Sequence, residues 1–164
     1  VFLVRSSFVF GFALITAICT ERATAQNLPN LTDIASLKGT CERLVMAGNN
    51  LSQGCGGTII QSIYSTGRTG FTVLVGDKGT AVTFSGIEGE KPDADSQLQS
   101  VDMVILNLNI QGVAPTSTKA SGSCAYSNPF KGPMTISCQA VDTDKKAYLL
   151  QFRTDGNEPL MTDL

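Results

Sequence analysis

An all-β fold is what the sequence predicts: about eight antiparallel strands in a small barrel or sandwich, meander-like in order and pinned by two disulfides. Three observations lead there. Apolar side chains alternate with polar ones over short runs, the period of a strand with one buried face. Clusters of Gly, Asn, Asp and Pro interrupt those runs at short intervals. Beyond the N-terminal segment four cysteines remain, Cys41, Cys55, Cys124 and Cys138, an even number suited to pairing.

Residues 1–25 read as a cleavable signal peptide. Arg5 precedes a mostly apolar run over 8–19, and Ala23-Thr24-Ala25 offers a small-x-small cleavage site. The run is well short of the roughly 20 apolar residues a spanning helix needs. Ile18 is too bulky to precede a lipid-modified Cys19. A cut after Ala25 leaves 139 of the 164 residues and no membrane span. The expected organisation is a leader over 26–40, a single β domain over 41–159 and a short tail over 160–164. A periplasmic or secreted location follows from the signal. It also supplies the oxidising space in which the four cysteines would pair. Cys41–Cys55 and Cys124–Cys138 are the favoured pairs, because each brackets a short, turn-rich stretch.

Within the leader, 32–39 reads as one short helix, with Thr32 or Asp33 as its cap and Gly39 as its stop. Strands follow. Residues 43–46 lead into a turn at 48–50, and 58–64 is β-branched and extended. Phe71, Val73 and Val75 share one face of the next strand. A Gly76-Asp77-Lys78-Gly79 turn returns the chain through Val82 and Phe84, completing a meander. The polar stretch 86–97 reads as an exposed loop. Val104, Leu106, Leu108 and Ile110 are expected on one face of the most apolar strand. A loop centred on Pro115, a strand over 120–126 and a turn over 128–133 come next. Met134, Ile136, Cys138 and Ala140 alternate inward, as do Tyr148, Leu150 and Phe152. Tight connections between sequence neighbours favour a barrel over a sandwich, and closure removes the free edges. Both cysteine pairs have the form C-x13-C, each followed by a strand, a turn and an aromatic-led strand. The echo fits a duplicated half-domain or chance.

Composition removes several function classes. The chain has no histidine, which excludes Ser-His-Asp and Cys-His catalysis and histidine-ligated zinc. Paired cysteines supply no thiolate. With the signal removed the net charge moves from −2 to −3, without a basic patch of the kind nucleic acid requires. Glu88, Glu90, Asp93 and Asp95 are the acidic candidates for carboxylate-dependent hydrolysis, but a polar loop is a poor setting for raising a carboxyl pKa. Asp93 with Asp95, and Asp142 with Asp144, read as turn residues rather than calcium ligands. Among the aromatics, Phe130 stands apart between two prolines and reads as a plug for the barrel end, with an exposed contact residue as the alternative. The expected function is therefore an exported, non-catalytic module that binds a protein or envelope component, without cofactor or metal. Its expected working surface is the loops 86–97, 111–118 and 127–133. A small-ligand carrier with a barrel cavity and a carboxylate-dependent hydrolase are the alternatives.

Overall fold

The computed structural model describes residues 30–163, so residues 1–25, expected to be a signal peptide, lie outside it. Ten strands follow in order: β1 (Leu31–Met46), β2 (Asn49–Asn50), β3 (Cys55–Tyr64), β4 (Arg68–Val75), β5 (Thr80–Glu88), β6 (Ser96–Asn107), β7 (Thr116–Ser127), β8 (Thr135–Asp142), β9 (Ala147–Thr154) and β10 (Leu160–Asp163). From β3 to β9 each strand pairs antiparallel with its neighbour in sequence. β1 closes the ring by pairing with both β3 and β9. The result is a closed eight-stranded barrel, with β2 and β10 as additional strands on β1.

β1 is where the structure departs most from the sequence reading. The segment 32–39 is not a helix but the first half of a 16-residue strand. Its N-terminal half pairs with β3, from Leu31↔Tyr64 to Lys38↔Thr58. Its C-terminal half pairs with β9, from Gly39↔Thr154 to Val45↔Leu149. Ala35 and Leu37 point into the core, so alternation over a strand accounts for them. Thr32 does not cap a helix; its hydroxyl donates to the Ile63 carbonyl at 3.1 Å. Strand partners on both sides override the local helical signals. The barrel's strands thus reach beyond 41–159 at both ends, through β1 and β10.

Gly39 does not end a helix either. It lies where β1 crosses β9, and a Cβ there would collide with the backbone of Arg153 and Thr154. Gly86 on β5 faces the Ser100 backbone, and Gly122 on β7 faces Gln139 and Ala140, equally closely. Glycine at such close approaches lets strands coil tightly enough to close a small barrel.

Side chains fill the interior. Phe71, Phe84, Phe152, Leu37, Leu44, Ile59, Met134, Ile136 and Leu150 are all essentially buried. Phe71, Phe84, Met134, Ile136, Leu150 and Phe152 occupy expected inward positions, whereas Leu37 and Leu44 come from β1 and Ile59 from β3. The apolar run in β6 ends earlier than expected. Leu106 packs on the core, but Leu108 and Ile110 are 42% and 54% exposed. Strand alternation stops at Asn107, whose Oδ1 accepts the Asn109 amide at 2.9 Å, and Asn109 has φ 52°. Conversely, β6 begins at Ser96 rather than near Val101, because Gln97 and Gln99 also point inward.

Both disulfides form as expected, Cys41–Cys55 and Cys124–Cys138. They indicate an oxidising environment. Cys124 and Cys138 are directly opposed in the β7–β8 ladder. Continuing the β1–β3 register past Lys38↔Thr58 brings Cys41 opposite Cys55 in the same way. Each bond closes a separation of 14 residues, a loop whose cross-link contributes about 3 kcal/mol in the chain-entropy model.

Two outcomes follow. Cys124–Cys138 is buried whereas Cys41 and Cys55 are partly accessible. Alkylation and mass spectrometry during mild reduction will therefore find Cys41–Cys55 opened first. Gly122→Val will destabilise the fold by more than about 2 kcal/mol in denaturant titration, because the new side chain meets the Gln139 and Ala140 backbone and the Ala140 Cβ, none of which can swing aside.

Candidate functional site

The expected working surface divides between the two ends of the barrel. Connections in a meander alternate ends. The β5–β6 loop (89–95) and the β7–β8 connection (128–134) therefore come together, while the β6–β7 loop (108–115) sits at the opposite end.

Four contacts organise the first end. The Asp93 carboxylate accepts the Asp95 amide at 2.8 Å, forming a tight turn. The Asn128 amide donates to the Asp95 carbonyl at 2.8 Å, joining the two loops. Lys131 Nζ approaches Asp95 Oδ1 to 2.7 Å, as an ion pair rather than an aligned hydrogen bond. Asn128 Oδ1 accepts the Phe130 amide at 3.0 Å and starts a short 3-10 turn over Pro129–Lys131. That turn holds Phe130 outward at 56% exposure. Phe130 is thus no plug; a proline-started turn faces its ring to solvent.

Two adjoining grooves open here, sharing Ser96, Gln97, Tyr126 and Ser127. The first, about 190 Å³, continues over Asn128, Pro129 and Phe130. The second, about 420 Å³, runs past Pro92 toward Thr135 and Ser137 on β8. Gln97 forms part of the floor. Its amide donates to the carbonyls of Gly89 at 3.0 Å and Leu98 at 2.9 Å, which fixes the start of the β5–β6 loop. The Tyr126 ring meets Phe71 edge-on at 4.8 Å. Burial, with Glu88 nearby, pushes the Tyr126 phenol above its ordinary range, so it stays neutral. The barrel interior is also polar here. Gln99 is fully buried, its amide reaching the carbonyls of Thr69 and Phe84 at 3.2 and 3.4 Å.

The acidic candidates do not converge on a reacting centre. Glu88 ends β5, Glu90 lies in the loop, and Asp95 faces Lys131. The Asp95 amide, then Ser96, hold the Asp93 carboxyl below the ordinary range, the reverse of what a general acid needs. Asp142 is taken by its own turn, accepting the amides of Asp144 and Lys146 and the Tyr148 hydroxyl. Gln97, Gln99 and Tyr126 are the site residues sequence reasoning missed. Gln97 and Gln99 do alternate with Val101, but a pattern of apolar residues passes over glutamine.

Comparison with known proteins finds no match: no family model, no curated protein and no solved structure aligns with the chain.

The turn at Asp93 responds to pH with a definite sign. Its folded pKa is depressed, so the support it gives the loop is complete above the ordinary value of 3.8 and is lost as pH falls through the lower folded value. In an NMR titration the Asp95 amide shift will move below pH 3.8, and Asp93→Ala will abolish that movement.

Proposed function

We propose that the chain is an exported, non-catalytic binding module of the periplasm or cell exterior, and that the groove between the β5–β6 and β7–β8 loops holds its partner, a protein or an envelope component. The observation that carries this reading is the solvent-facing Phe130, on a backbone turn held by Asn128, beside an open groove. Two loops distant in sequence are tied together there by the Asn128–Asp95 and Lys131–Asp95 contacts. An aromatic on a pre-formed turn at a groove rim offers contact area at little backbone entropic cost on binding. The polar lining of Ser96, Gln97, Ser127 and Asn128 adds short-range hydrogen bonding.

Export is supported by the two disulfides and the signal-like leader. The absence of histidine from the sequence and the depressed Asp93 favour binding over hydrolysis. Carriage of a small ligand draws no support from the interior, where Phe71, Phe84 and Phe152 pack together with Leu106 against them.

Site-directed crosslinking tests the reading. A photoreactive benzophenone side chain in place of Phe130 should join the exported chain to one discrete species of the cell envelope. The same group in place of Val141, exposed near the other end of β8, should not. Equal labelling from both positions, or none from either, would sink the groove as the working surface.

A further inference from the structure

At the barrel end away from the groove, the β6–β7 loop exposes Leu108, Ile110 and Val113 at 42%, 54% and 47%. Bulky aliphatics on one loop tip form a patch rather than the scattered exposure normal for a surface. The tip is also built to hold its shape. Asn107 Oδ1 accepts the Asn109 amide at 2.9 Å, Asn109 Nδ2 donates to the Lys78 carbonyl at 2.9 Å, and the Val113 amide donates to the Ile110 carbonyl at 3.1 Å. Leu74, 42% exposed on β4, extends the patch, because the Leu74↔Ala81 and Ala81↔Asn107 pairings place it in the row that leads to the loop.

We infer that this loop is a prong that inserts its aliphatic tip into the interfacial layer of a lipid bilayer. Three features select lipid over protein as the occupant. From Asn107 to Thr118 the chain carries no charged residue, so no ionic group in the prong opposes leaving water. The patch is a projecting tip of aliphatic side chains, a shape that enters a deformable layer without needing a matching cavity on a partner. The charges at this end are Asp77 and Lys78 in the β4–β5 turn, Lys119 on β7, and Asp142, Asp144, Lys145 and Lys146 at the β8–β9 turn, four lysines against three aspartates, a net positive set suited to anionic headgroups. The pinned loop has little order left to lose on insertion. This inference stands on its own observations and does not depend on the groove.

Vesicle binding decides it. The exported chain, its N-terminus identified by mass spectrometry, is sedimented with vesicles of phosphatidylcholine and phosphatidylglycerol. Ile110→Asp and Val113→Asp should each lower the bound fraction about tenfold, since a carboxylate on the tip opposes insertion. Far-UV circular dichroism checks that both variants keep the wild-type fold. Any contribution from the N-terminal segment is common to all variants, so their ratio reads the prong. Ile110→Trp supplies the single tryptophan of a chain that has none, and its emission should shift to the blue on vesicles. Wild-type protein left in the supernatant, binding undiminished by both aspartates, or an unshifted tryptophan overturns the proposal. So does an Ile110-dependent protein contact without vesicle binding.

Discussion

Closure of the barrel through β1 is the constraint on which the other features depend. One strand supplies two ladders: its first half completes β3 and its second half completes β9. Without the pairing over 39–45 the sheet would be open, with β9 as a bare edge and the aromatic core reachable by water. Antiparallel edges recruit foreign strands, and closure is the one arrangement that removes them entirely. The bend that permits this is local. Gly39 lies against the Arg153 backbone, and a register irregularity follows between Cys41 and Arg43. Cys41–Cys55 then ties the near edge of that irregularity to the start of β3. The covalent staple sits where β1 leaves one partner for the other, the point where the ladder alone is weakest.

Inside the closed wall the chemistry is uneven along the barrel axis. Phe71, Val73, Val82, Phe84, Leu150 and Phe152 form a dry centre. Toward the end that carries the groove, Gln61, Thr69, Gln97 and Gln99 replace aliphatics at inward positions. A buried amide is costly unless its hydrogen bonds are made. Gln99 spends its Nε2 on the Thr69 and Phe84 carbonyls, while its Oε1 has no partner among the described residues. Gln97 turns the same property outward and uses its amide to hold the loop above it. A polar layer beneath a polar groove keeps the Tyr126 ring at the boundary, in edge-on contact with Phe71 and with its phenol neutral.

These features divide the molecule into legible and illegible parts. Strands β4, β5, β8 and β9 could be read in the sequence because their inward side chains are bulky and apolar, so burial and alternation coincide. The first half of β1 could not. Thr32, Asp33 and Gly39 carry helix-boundary signals, and only the two flanking ladders overrule them. The start of β6 was hidden for a different reason, since glutamine facing inward looks like glutamine in a loop. The beginning of β7, rich in Ser and Thr, was hidden likewise. Both loops of the groove were legible as loops. Their meeting was not, because it depends on strand register, which pattern alone leaves open. Phe130 shows the same gap: its neighbours announce a turn, but the direction of its ring follows from the Asn128 cap.

The alternation of ends in a meander gives the surface its logic. Loops two connections apart share an end, whereas adjacent ones are separated by the full length of a strand. β6 spans twelve residues between the groove loop and the aliphatic prong, roughly 35–40 Å of extended chain before strand tilt. At one end Lys131 faces Asp95 beside an exposed aromatic, a setting that rewards shape and hydrogen bonding. At the other, a stretch of twelve uncharged residues presents Leu108, Ile110 and Val113 to solvent, a setting that rewards removal of aliphatic surface from water. A rigid, closed barrel keeps these two surfaces facing opposite ways whatever either one contacts. A bilayer at the prong would leave the groove directed away from the membrane. The geometry that seals the core thereby also prevents the two surfaces from competing for one partner.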